Sequence, residues 1–194
     1  AALRGFAMSN LESSVILSAG MNPRLYTYLE TFKDFIPDEH GYFRKKIVLK
    51  VSDFRSAFIQ AKFLAKKGLW VSEFRIESGL NCGGHAFATD GYLLGPILEE
   101  FKLKREEMLD GLYQIFQAAL DHKGIALNGI PLQKISVQGG IGTAEENSFL
   151  LSHYKMDRTG WGSPFLLVPE ATNVDHDTLH QLEHAENDDF YLSN

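Results

Sequence analysis

From residue 14 onward the chain alternates short runs rich in β-branched residues with longer stretches of helical spacing. That rhythm points to βαβ units on a parallel sheet. Ser14 to Ser18 reads as a strand, and Pro23 opens a helix whose Leu25, Tyr28, Leu29 and Phe32 keep a helical period. Lys46 to Val51 is the second strand. Ser52 or Asp53 caps the helix after it, which carries Ala57, Phe58, Ala61, Phe63, Leu64 and Ala65 and stops at Gly68. Leu69 to Ile76 is a third strand, followed by a glycine-bearing loop from Ser78 to Gly95. Helices then cover about Pro96 to His122, with Met108, Leu109, Leu112, Ile115, Phe116 and Ala119 as the apolar stripe. Leu132 to Val137 is the fourth strand, and a helix over about Ala144 to Tyr154 follows. Thr159 to Ser163 reads as a turn, Phe165 to Val168 as a fifth strand, and Thr178 to His184 as a last amphipathic helix.

Five such units suit either an open doubly wound sheet or most of a TIM-type (β/α)8 barrel, both of the α/β class. Glycines clustered after two consecutive late strands favour the barrel, which binds phosphate there. Residues 1–194 are expected to form a single domain, the C-terminal part of such a barrel. A start at Ala1 and an end at Asn194 without a closing element predict a fragment of a longer protein. A formal charge of -6 gives no electrostatic reason to expect nucleic acid or an anionic membrane surface. No run approaches the ~20 apolar residues of a membrane-spanning helix. The single cysteine, Cys82, excludes an internal disulfide and predicts a reducing, cytoplasmic setting.

Three loops have the composition for chemistry. Gln138-Gly139-Gly140-Ile141-Gly142-Thr143 lies between a strand and a helix, where glycines admit a phosphate to the main chain and the helix start offers unpaired N–H groups. Gly160-Trp161-Gly162-Ser163 could clamp the same phosphate from the other side; the competing explanation is glycine used for turn geometry alone. Lys50, at the end of the second strand, either faces the barrel mouth, where it holds an anion or a reduced flavin, or faces solvent. Ser78-Gly79-Leu80-Asn81-Cys82-Gly83-Gly84-His85 combines a thiol, an amide and an imidazole. Cys82 and His85 suit a thiolate–imidazolium pair or, more simply, a ligand-contacting loop without covalent chemistry. His176, His180 and His184 fall on one helix face, read as solvated acidic surface with no dedicated metal site expected.

The order of these pieces resembles the FMN-binding synthase domain of glutamate synthases. Ile47-Val48-Leu49-Lys50-Val51-Ser52, Gly83-Gly84, Gly139-Gly140-Ile141 and Gly160-Trp161-Gly162-Ser163 carry the resemblance, which covers about residues 14 to 170. It implies FMN as cofactor, with Ser78, Gly83, Gly84, Gln138, Gly139, Gly140, Gly142, Gly160, Gly162 and Ser163 around it and Lys50 near its ring. Asn81, Cys82 and His85 would face a small-molecule substrate, and an electron donor would be needed. Gln138 replaces the family's acidic residue, His85-Ala86 its Thr-Gly, and no iron–sulfur cysteine cluster is present. The resemblance therefore implies an FMN-dependent oxidoreductase rather than glutamate synthesis itself. Two alternatives stand beside it: a barrel lyase or isomerase whose substrate carries its own phosphate, and a non-catalytic domain completed by a partner segment or a second copy.

Overall fold

A computed structural model describes residues 1–38, 40–77, 94–139, 141–161, 173–186 and 189. In chain order the elements are α1 (Ala2–Ala7), β1 (Ser13–Leu17), α2 (Pro23–Leu29), a 3-10 turn (Lys33–Phe35), β2 (Lys45–Val51), α3 (Phe54–Ala65) and β3 (Val71–Glu77). Then follow α4 (Leu94–His122), β4 (Lys134–Gln138), α5 (Ala144–Ser152), β5 (Arg158–Gly160) and α6 (His176–Glu183). The strands form one five-stranded sheet in the order β1-β2-β3-β4-β5, and every pair is parallel.

Local chemistry explains the boundaries. Asn22 caps α2 with Pro23 in its first turn, and Asp53 caps α3 by accepting from Ser56 N at 2.7 Å. Gly68 (φ +73°) ends the α3 segment, with Leu69 N donating back to Leu64 O. Where helices are expected from about Pro96 to His122, the structure has the single 29-residue α4. It starts two residues earlier, because a proline in the first turn loses no intrahelical bond. Two elements differ from expectation. The sequence reading has no counterpart of α1. The fifth strand is Arg158–Gly160, overlapping the start of the stretch expected to be a turn, whereas Phe165 to Val168 lies outside the described residues. The carboxylate of Asp157 sets that register: it accepts from Ile135 N at 2.7 Å while Asp157 N donates to Ile135 O at 2.8 Å.

Right-handed crossovers between neighbouring parallel strands put their helices on one face. The core has that form. Leu17, Ile47, Leu49, Val51, Phe74, Ile76, Ile135 and Val137 pack against Leu29, Ala57, Ala61, Leu64, Phe101, Met108, Leu112 and Phe116. Each of the valine, leucine, isoleucine, phenylalanine and methionine side chains among them contributes about 1.5–3 kcal/mol by leaving water. At the amino-terminal end of the sheet the fully buried Lys45 holds the chain after α1, donating to Ser9 O, Ser9 Oγ and Leu11 O and lying over the Phe6 ring. No helix among the described residues is long and apolar enough to cross a membrane.

The second face of the sheet is different. A register shift between Ile47 and Val48 places Val71 in the core and turns Glu73 to the opposite side. From there Glu73, Arg75 and Glu77 alternate with the core residues Phe74 and Ile76. Among the described residues the face opposite these helices is therefore the charged one, and it is the one that positions a site.

Candidate site on the charged face of the sheet

The register stacks the charges in rows. Lys50 lies beside Arg75, Arg75 beside Ser136, and Ser136 beside Arg158. One row nearer the carboxyl ends of the strands, Glu77 lies beside Gln138 and Gln138 beside Gly160. One row nearer the amino ends, Val48 lies beside Glu73 and Glu73 beside Lys134.

Cations of the middle row meet carboxylates of the rows above and below. Lys50 Nζ stands 2.9 Å from Glu77 Oε2, with the lysine side chain 31% and the glutamate 8% exposed. Glu73 is equally buried. Its Oε1 accepts from Ser136 Oγ at 2.7 Å and pairs with Arg75 Nη2 at 3.3 Å, and its Oε2 lies 3.6 Å from Arg158 Nη1. Gln138 links the two clusters. Oriented by its neighbours, its amide nitrogen donates to Glu77 Oε1 at 3.0 Å and its oxygen accepts from Arg75 Nε at 3.3 Å. The result is one connected belt from Lys50 to Arg158. Lys50, Arg75 and Arg158 bring three positive charges to the belt, against two from Glu73 and Glu77. Arg158, 58% exposed, is the least committed of the three.

Of the expected site residues, the structure brings Lys50, Gln138 and Gly160 together at the carboxyl ends of β2, β4 and β5. Lys50 is half-buried and paired with Glu77. Gly160 has a local reason to be glycine, since a Cβ there would stand 2.6 Å from Gln138 Cγ. Gly139 takes φ +90°, a left-handed conformation that suits glycine where β4 turns toward α5. Ser78, Asn81, Cys82, Gly83, Gly84, His85, Gly140, Gly162 and Ser163 lie outside the described residues.

The turn into α5 tests whether an anion fits. Thr143 caps the helix, its Oγ1 accepting from Glu146 N at 3.2 Å. In return Glu146 Oε2 accepts from Gly142 N at 2.7 Å and Thr143 N at 3.1 Å. Two consecutive N–H groups thus hold one anionic oxygen, as a helix start favours. The turn suits an oxyanion, and the one it holds is the chain's own. A ligand phosphate reaching Gly142 would have to displace Glu146.

Comparison with known protein families, curated proteins and solved structures finds no match to this chain. The functional reading therefore stands on the belt and its turns. Sequence reasoning singled out Lys50 and Gln138 but missed Glu73, Arg75, Glu77 and Arg158. The signal was present in Glu73-Phe74-Arg75-Ile76-Glu77, where charge alternates with apolar residues at the period of a strand.

Proposed function

We propose that the chain is part of a (β/α)8-type barrel that binds FMN and acts as an FMN-dependent oxidoreductase on a small-molecule substrate, supplied with electrons by a separate donor. The observation that carries this reading is the strand order. A doubly wound sheet reverses its order at a switch point, and none occurs in β1-β2-β3-β4-β5. A sheet wound in one direction keeps its helices outside and turns its other face inward as it curls, so the charged belt becomes barrel interior. Ligands of parallel sheets bind at the carboxyl ends of the strands, where Lys50, Glu77, Gln138 and Gly160 lie together. In this reading the glycine-bearing segments Gly139 to Thr143 and Gly160 to Ser163 hold the phosphate, and the cation excess of the belt favours an anionic guest. FMN, when bound, supplies the redox step, while the chain binds and orients it. A reducing, cytoplasmic setting suits this reading and the single Cys82.

The test is an absorption spectrum of the purified full chain, followed by heat release of the chromophore. An oxidised-flavin spectrum with FMN released, or uptake of added FMN into a colourless preparation, is the expected result. A colourless protein that takes up no FMN overturns the proposal.

A further inference from the structure

Away from the sheet, α6 carries a second cluster of chemically capable side chains. His180, Glu183 and His184 are spaced i, i+3 and i+4, so a helix places them on one face. Their ligand atoms lie within 4.8 Å of one another, and all three side chains are exposed. The two imidazole rings are 4.2 Å apart between centroids. Asp175 fixes the start of the helix, accepting from Asp177 N and Thr178 N at 3.1 and 3.0 Å.

A hydrogen bond at the other end of α6 prepares one ligand for metal. His184 N donates to Leu182 O rather than to His180 O, so the His180 carbonyl has lost its ordinary helical partner. The His184 ring takes that place: Nδ1 lies 2.8 Å from His180 O. A carbonyl oxygen can only accept, so Nδ1 carries the proton and the lone pair of neutral His184 is on Nε2. An Nδ1–H bond to a main-chain carbonyl is the support that metal-binding histidines commonly have, because it fixes both tautomer and ring direction.

We infer that His180, Glu183 and His184 form a binding site for one borderline divalent transition-metal ion, of the zinc, nickel or copper class. Two imidazoles and one carboxylate select that class over magnesium or calcium, which take mostly oxygen ligands. Ligand atoms around tetrahedral zinc at 2.0–2.1 Å are about 3.3 Å apart. From a spread of up to 4.8 Å the three exposed side chains draw together by up to about 1.5 Å to reach that spacing. Three protein ligands leave a coordination position for water or another donor. The order His180-x-x-Glu183-His184 is the inverse of His-Glu-x-x-His, and zinc proteases use both orders.

The experiment is calorimetric titration of the full chain with zinc chloride, repeated with magnesium chloride. One zinc site in the micromolar range and no magnesium site are expected. His180→Ala, which leaves the His184 hydrogen-bonding group in place, should weaken zinc binding at least tenfold, as should His184→Ala. His122→Ala, on α4, should leave it unchanged. Far-UV circular dichroism of each variant checks that the exposed substitutions preserve the fold. Absence of a zinc site overturns the inference. So does a site that loses less than threefold in the His180→Ala/His184→Ala double variant, since zinc would then be held elsewhere.

Discussion

Replacing Glu73 by alanine tests whether the charged belt is held together as described. The carboxylate is 8% exposed and serves Ser136, Arg75 and Arg158 at once. Removing one partner of a buried ion pair costs about 3–5 kcal/mol, because the remaining charge stays desolvated. Two features reduce that figure here. Arg158 is 58% exposed and rehydrates readily, and Arg75 Nε keeps the Gln138 oxygen at 3.3 Å. Against this, Ser136 is buried and loses its acceptor. A loss of about 2–3 kcal/mol results, and in a domain of this size each kcal/mol lowers Tm by roughly 2–4 °C. Urea unfolding followed by circular dichroism, with an unchanged m-value, measures it. A second substitution, Arg75→Met, removes the cation left most buried and should recover about 1 kcal/mol or more relative to additivity. A Glu73→Ala loss below about 0.5 kcal/mol, or strict additivity in the pair, would refute the reasoning.

Three further outcomes follow from the same geometry. Glu146→Gln removes the charge that now fills the α5 turn, so it should cost about 0.5–1 kcal/mol of stability yet tighten FMN or inorganic phosphate several-fold; equal affinity by titration would show that no phosphate reaches Gly142. Gly160→Ala drives a Cβ to 2.6 Å from Gln138 Cγ. It should destabilise by about 1–3 kcal/mol, with most of the loss recovered by a second Gln138→Ala substitution in the same unfolding assay. Glu30 joins two helix ends, with Oε2 3.1 Å from Lys67 and Oε1 3.0 Å from Lys123. Burial pushes its carboxyl upward, but hydrogen bonds and charge from Lys123 and Lys67 prevail and hold it below the ordinary carboxylate range. Its contribution is therefore full above that range and fades as pH falls through the lowered value; Glu30→Gln should flatten the acid limb of a Tm-against-pH curve there.

The sequence made the parallel architecture readable where burial and period agree. In β2, Ile47, Val48, Leu49 and Val51 are buried, and so continuous an apolar run marks an interior strand of a parallel sheet. The stripe of α4 was equally plain, because Met108, Leu112 and Phe116 recur every four residues on the covered face. What escaped notice has a common physical origin. β5 is three residues without an apolar side chain, and its place depends on an Asp157 carboxylate bound to Ile135, a contact with no local pattern. α1 is a single short turn-and-a-half whose first residue offers no side-chain cap, and its position is secured by Lys45 far along the chain.

The charged belt shows the same limit at the level of the site. Alternating Glu73, Arg75 and Glu77 resembles an ordinary wet strand face until register places Lys50, Ser136, Gln138 and Arg158 against them. A one-residue slip of β3 would turn these charges into the core, so pairing register and charge complementarity specify each other. Glycine carries the opposite lesson. Gly139 and Gly160 were read together as room for a phosphate, yet Gly139 answers to backbone conformation and Gly160 to the bulk of Gln138. Internal packing thus accounts for both without a ligand. The FMN proposal accordingly rests on the direction of sheet winding and the charges it turns inward, and the Glu146→Gln titration asks separately whether the glycine turn after β4 takes a phosphate.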